Sequence, residues 1–95
     1  MALAVAPAGA GAAPTRVISV ADFRFAPAGV TAARGTELVF RWRGRAPHDV
    51  RAAGPARFAS RIQTVGTYAV RLTRSGTYRI TCSIHPQMRL ALRVT

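Results

Sequence analysis

Cys82, His85 and Met88 follow one another at intervals of three near the C-terminus, putting a thiol, an imidazole and a thioether on one short segment. Soft donors of this kind select copper among the first-row metals, and two imidazoles, a thiolate and a weak axial thioether make the blue-copper arrangement. The second imidazole must come from elsewhere. The chain has one other histidine, His48, just after Ala46-Pro47, so four candidate ligands are present with no spare histidine to confuse the assignment. Singly each residue has a plainer reading: Cys82 as a small core hydrophobe, His48 or His85 as a turn residue, Met88 as core filler. Their joint occurrence, with Cys82 ending one extended run and Met88 preceding another, is what points to a metal.

The segments that must position them alternate with period two and are broken often, which is the pattern of strands. Val17 to Val20 is a short apolar run, Asp22-Phe23-Arg24-Phe25 alternates, and Ala26-Pro27-Ala28-Gly29 turns the chain. Val30 to Ala33 is brief. Glu37 to Arg43 is the clearest strand, with Leu38, Phe40 and Trp42 on one face and Arg41 and Arg43 on the other. His48 to Ala52 reads as another short strand, and Ala53 to Ser60 as irregular. Thr67 to Thr73 points Tyr68, Val70 and Leu72 inward; Arg74-Ser75-Gly76 reads as a hairpin turn leading into Thr77 to Cys82, with Tyr78, Ile80 and Cys82 inward. Leu90, Leu92 and Val94 close the series. Seven to eight short strands at this spacing predict an all-β, antiparallel, Greek-key sandwich over residues 15–95. The aromatic residues Phe40, Trp42, Tyr68 and Tyr78 are expected in its core, and the alternating arginines on its solvated faces.

Composition narrows the chemistry further. Ninety-five residues allow one small domain. A single cysteine excludes an internal disulfide and any multi-cysteine cluster, and three acidic residues make paired-carboxylate catalysis improbable. All 14 basic residues are arginine and the net charge is +11. Such a charge attracts acidic proteins, anionic membrane surfaces or nucleic acid without choosing among them. Residues 1–14 hold seven Ala, two Gly and two Pro and no charge, and read as a disordered signal-peptide remnant or a linker. Ala10-Gly11-Ala12 fits a small-x-small cleavage site. No run of strongly apolar residues is long enough to span a membrane.

The segment Gly76-Thr77-Tyr78-Arg79-Ile80-Thr81-Cys82-Ser83-Ile84-His85-Pro86-Gln87-Met88-Arg89 resembles the C-terminal block of the cupredoxins, within them the amicyanin, pseudoazurin and plastocyanin-like group. Its short Cys-x-x-His-x-x-Met loop with Pro after His is most similar to amicyanin. Pro47-His48-Asp49-Val50 resembles the other ligand segment, and Asp22-Phe23-Arg24-Phe25-Ala26-Pro27 and Gly35-Thr36-Glu37-Leu38-Val39-Phe40-Arg41-Trp42 the opening strands, so the likeness runs from about residue 16 to 95.

The resemblance implies one copper ion cycling between Cu(I) and Cu(II), held by His48, Cys82, His85 and Met88, with Pro47, Asp49 and Ile84 next to the ligands. Three positions depart from the family pattern. Asp49 stands where Asn is usual; its carboxylate accepts hydrogen bonds, from a backbone N–H or Ser83, and does not donate. Its charge would favour Cu(II). Ile84 stands where Pro is frequent, which frees an N–H to donate to the Cys82 sulfur and to shift the potential the opposite way. Leu90 follows Arg89 where Gly is common.

The function expected is electron transfer outside the cytoplasm, by a monomer that is not itself an enzyme. Its partner would be a redox protein with an acidic docking surface, met at His85 amid Ala46, Pro47 and Pro86 and steered by Arg43, Arg45 and Arg89. An anionic membrane surface is a further expected contact. Copper storage or delivery is the alternative, since the same ligands serve it. Nucleic-acid binding is not expected, because the aromatics have core parity instead of forming a stacking surface. A Cys82–His85 nucleophile pair lacks a third orienting group.

Overall fold

The computed structural model describes residues 13–95; most of the 1–14 segment, including Ala10-Gly11-Ala12, lies outside the described residues. From Pro14 onward the chain is bonded to the domain, since the Glu37 amide donates to the Pro14 carbonyl (2.8 Å). Nine strands follow: β1 (Thr15–Ala21), β2 (Arg24–Ala26), β3 (Gly29–Ala32), β4 (Glu37–Trp42), β5 (Arg51–Ala53), β6 (Phe58–Ala59), β7 (Thr67–Arg71), β8 (Gly76–Thr81) and β9 (Arg89–Val94). They form two sheets, β2-β1-β4-β7 and β3-β9-β8-β5-β6. Among the described residues there is no helix.

The alternation dictates the core. Leu38, Phe40 and Trp42 on β4 face Tyr78 and Ile80 on β8 and Leu90, Leu92 and Val94 on β9 across the two inner faces, all nearly or wholly out of water, while the arginines between them are exposed. Burying a side chain of this size contributes about 1.5–3 kcal/mol, so the shared inner layer is what docks the sheets. Tyr68 and Val70, on the edge strand β7, are only partly buried.

Three features differ from the sequence expectation. The sheets are mixed, because β1 pairs in parallel with β4 and β3 in parallel with β9. Alternation reveals which face of a strand is buried and carries no information on the direction of its neighbour. Arg74-Ser75-Gly76 is not a hairpin turn: β7 belongs to one sheet and β8 to the other, so the segment carries the chain across the sandwich, with Gly76 at φ 132°. A side chain there would be strained, and a Cβ would collide with Pro55. The irregular stretch contains the short β6, paired with β5, which two residues of alternation cannot signal.

The topology brings both candidate ligand segments to one end of the sandwich. β8 and β9 are antiparallel neighbours with Thr81 opposite Arg89, so Cys82 to Met88 is the loop closing that pair. His48 lies between β4 and β5, where β5 is the other neighbour of β8.

Candidate metal centre

His48 reaches the site on a segment fixed through its backbone. It forms an isolated two-way bridge with Gln63, each amide donating to the other's carbonyl at 3.0 Å. The indole Nε1–H of Trp42 donates to the same His48 carbonyl at 3.0 Å. The expected strand over His48 to Ala52 therefore begins only at Arg51, and His48 is held by cross-chain bonds. Its side chain is wholly buried.

From the other side comes the loop. Cys82, buried, follows directly on β8; Met88, also wholly buried, directly precedes β9; His85 between them is half-buried. The Met88 amide donates to the His85 carbonyl (2.9 Å), which tightens the turn.

The side chains converge. His48 Nδ1 lies 3.1 Å from His85 Nδ1, and the Cys82 Sγ lies 3.7 Å from the same His85 nitrogen. One ligand atom from each of His48, Cys82 and His85 falls within 4.8 Å of the others. The Nε2–H of His48 donates to the Asp22 carboxylate (3.0 Å), which in the neutral ring leaves Nδ1 as the lone pair. Two ring nitrogens facing each other at 3.1 Å repel unless a proton or a cation lies between them. With the Cys82 sulfur at this cluster and the buried Met88 thioether closing the same loop, the donors suit a soft cation, and the His-Cys-His-Met set suits one copper ion.

Asp49 lies one residue beyond His48 and ties the two segments together. Its Oδ1 accepts from the Ser83 amide and its Oδ2 from the Ser83 hydroxyl, both at 2.7 Å, and Oδ2 also accepts from Arg51 Nε at 3.3 Å. Burial alone would raise its pKa; the Ser83 amide and hydroxyl, Arg51 and the Cys82 thiol together outweigh it and hold the carboxyl below its ordinary value. Carboxylate acceptance from the Ser83 region is what the sequence suggests for an Asp at this position. Ile84 turns its side chain outward, 43% exposed; among the described residues the Cys82 sulfur meets His85 Nδ1, and no bond joins it to the Ile84 amide. Pro47 and Pro86 are exposed and Ala46 half-buried.

Asp22 and Phe23 also belong to the site. Asp22, between β1 and β2, accepts from His48 Nε2. Phe23, next to it, sits at φ 69° and sets its ring edge-on to both imidazoles, with centroids 5.9 Å from His48 and 5.0 Å from His85. A bulky residue in the left-handed region is rare and marks a constrained position. The Arg45 amide, His48 and the Ala46 amide, in that order, hold the Asp22 carboxyl at about 2, below the ordinary 3.8. No sequence signal sets Asp22 apart from a strand-end Asp, because its partners lie far along the chain.

No protein-family model and no curated protein matches the chain. Solved structures do. The Cu(I) form of an amicyanin variant superposes with a TM-score of 0.77 at 25% identity, covering 93% of this chain and 89% of that one. An oxidized amicyanin variant gives 0.75 at 22% identity, over 90% of this chain and 85% of the other. The copper-containing nitrite reductase of Thermus scotoductus gives 0.74 at 24% identity, over 86% of this chain; this chain spans only 22% of that enzyme. The described chain thus has the cupredoxin fold. Within that fold its ligand end carries a His48-Cys82-His85 cluster with Met88.

Proposed function

We propose that this protein is a mononuclear type 1 copper protein that carries single electrons between redox partners outside the cytoplasm. The observation that carries the reading is the convergence of His48 Nδ1, His85 Nδ1 and Cys82 Sγ beside buried Met88, at one end of a cupredoxin sandwich. Bound copper would supply a one-electron couple. The chain's part is to hold the donors in one arrangement in both oxidation states, and the buried, bridged His48 and the Asp49–Ser83 tie support that. The amicyanin structures include both oxidized and Cu(I) forms. A carrier, and not an enzyme by itself, is the better fit, since both histidines of the chain are used in this one site.

Electrons would leave through half-buried His85, with exposed Phe23, Pro47, Ile84 and Pro86 as the apolar surround. Exposed Arg43, Arg45 and Arg89 would steer a redox protein with an acidic surface, and their charge would also favour an anionic membrane surface.

The test is the visible spectrum of the Cu(II)-loaded protein beside Cys82→Ser, followed by redox titration. An intense thiolate-to-copper band that disappears in the variant, with reversible one-electron cycling, is the expected result. A colourless protein binding only Cu(I) in exchangeable form would replace this reading with copper storage or delivery.

A further inference from the structure

Two of the three acidic residues of a chain with net charge +11 stand at the ligand cluster, one bonded to His48 and the other to Ser83 beside Cys82. Asp49 belongs to the ligand segment itself. Asp22 arrives from the opposite sheet, and every polar contact of its carboxylate is directed at the chain around His48. Oδ1 accepts from the Arg45 amide (3.0 Å), the Ala46 amide (2.9 Å) and His48 Nε2 (3.0 Å); Oδ2 accepts from the Arg45 amide (3.0 Å). The approach is tight enough to require glycine at position 44, where a Cβ would run into the Asp22 carboxylate and backbone nitrogen. The turn that delivers this carboxylate is the one in which Phe23 takes its left-handed conformation and lies against both imidazoles.

A carboxylate on the outer nitrogen of a ligand imidazole has two consequences. It fixes the tautomer, so the inner nitrogen always presents a lone pair, and it makes the ring a stronger donor to the more highly charged metal ion. A strongly cationic protein biases a copper site the other way, toward Cu(I), because the positive field favours the lower charge. Resting on the copper reading above, we infer that Asp22 is a positioning residue for His48, which holds Nδ1 toward the metal and biases the site toward Cu(II). Asp22 does not touch the metal; it acts through the His48 ring.

Two variants separate charge from position. Asp22→Asn keeps an acceptor for the Arg45, Ala46 and His48 donors and removes the charge, whereas Asp22→Ala removes both. In copper-loaded protein, Asp22→Asn should move the Cu(I)-to-Cu(II) affinity ratio about tenfold toward Cu(I), read as a rise of about 59 mV in potential. Asp22→Ala should in addition weaken Cu(II) binding by about 10–100-fold. In metal-free protein, 15N NMR should show His48 wholly in its Nε2–H form in the wild type and in Asp22→Asn, and as a tautomer mixture in Asp22→Ala. Unchanged potentials with an intact charge-transfer band, or an unmixed tautomer in Asp22→Ala, would reduce Asp22 to a cap for the Arg45 and Ala46 amides. A wild type without the band would sink the electron-carrier reading, while the NMR comparison would still decide whether Asp22 positions His48.

Discussion

The two halves of the metal centre are built by opposite means. His48 is held from outside its own segment: Gln63 bridges its backbone, Trp42 donates to its carbonyl, and Asp22 takes its outer nitrogen. Nothing within three residues of it supplies those bonds, and the ring is sealed from water. Cys82, His85 and Met88 share a single loop, whose internal backbone tie is the Met88 amide on the His85 carbonyl. His85 is half-exposed, and among the described residues its Nε2 has no hydrogen-bond partner. One imidazole is therefore a fixture of the fold and the other is a feature of a loop. Fixity on one side suits a site that must not rearrange, and exposure on the other suits a site that must be reached.

Deleting each ring tests this contrast most harshly. His85→Gly should open a gap to solvent that added imidazole fills, restoring the absorption band. His48→Gly should require at least about tenfold more imidazole, because a ligand entering there must reach a site wholly out of water and re-form the bond to Asp22. Equal rescue of the two variants would erase the distinction.

A second test removes the tie between the halves. Asp49→Ala deletes both Ser83 bonds, and loss of hydrogen bonds to a buried carboxylate should cost about 2 kcal/mol in urea unfolding. The effect should depend on pH. Asp22 and Asp49 both have depressed folded pKa values, so each contributes stability above its ordinary value of 3.8 that disappears as pH falls through the folded value, about 2 for Asp22. Across that window the unfolded chain binds more protons and stability rises with pH. Asp49→Ala should flatten this rise, and an unaltered slope would show that Asp49 does not contribute to it.

The smallest effect is expected at Phe23. Phe23→Gly relieves a left-handed residue, worth about 1–2 kcal/mol. It also loses edge contacts with two rings, worth about 0.5–1.5 kcal/mol each. Net stability should change by less than about 1 kcal/mol, while the His85 ring gains motion visible in NMR relaxation. A large loss of stability would mean that Phe23 is a structural keystone and not a cover over the rings.

The same contrast governs what could be read from the sequence. The loop ligands are close in the chain, so spacing alone exposes Cys82, His85 and Met88, and the buried alternation of β4, β8 and β9 is visible as parity. What surrounds His48 is not visible. Gln63, Trp42 and Asp22 reach it across the fold, and Asp22 differs from any strand-end aspartate only through partners more than twenty residues away. Strand direction was illegible for the same reason. The parallel pairs β1–β4 and β3–β9 are set by how the sheets assemble, and a two-residue period is identical for either direction. The crossing at Arg74 to Gly76 carries the residues of a tight turn, and only the membership of its flanking strands distinguishes it from a hairpin.

The parallel pairing of Gly29 to Ala32 with Ala91 to Val94 bears on how the protein is made. β3 has no partner in its own sheet until β9 exists, so on a ribosome the five-stranded sheet stays incomplete until Arg89 to Val94 has been made. Long-range closures of this kind slow folding, toward the millisecond-to-second range for all-β domains. The ligand loop immediately precedes that last strand. His48 and the loop ligands should come together only when it docks, and uptake of metal would then mark the end of folding and not its start.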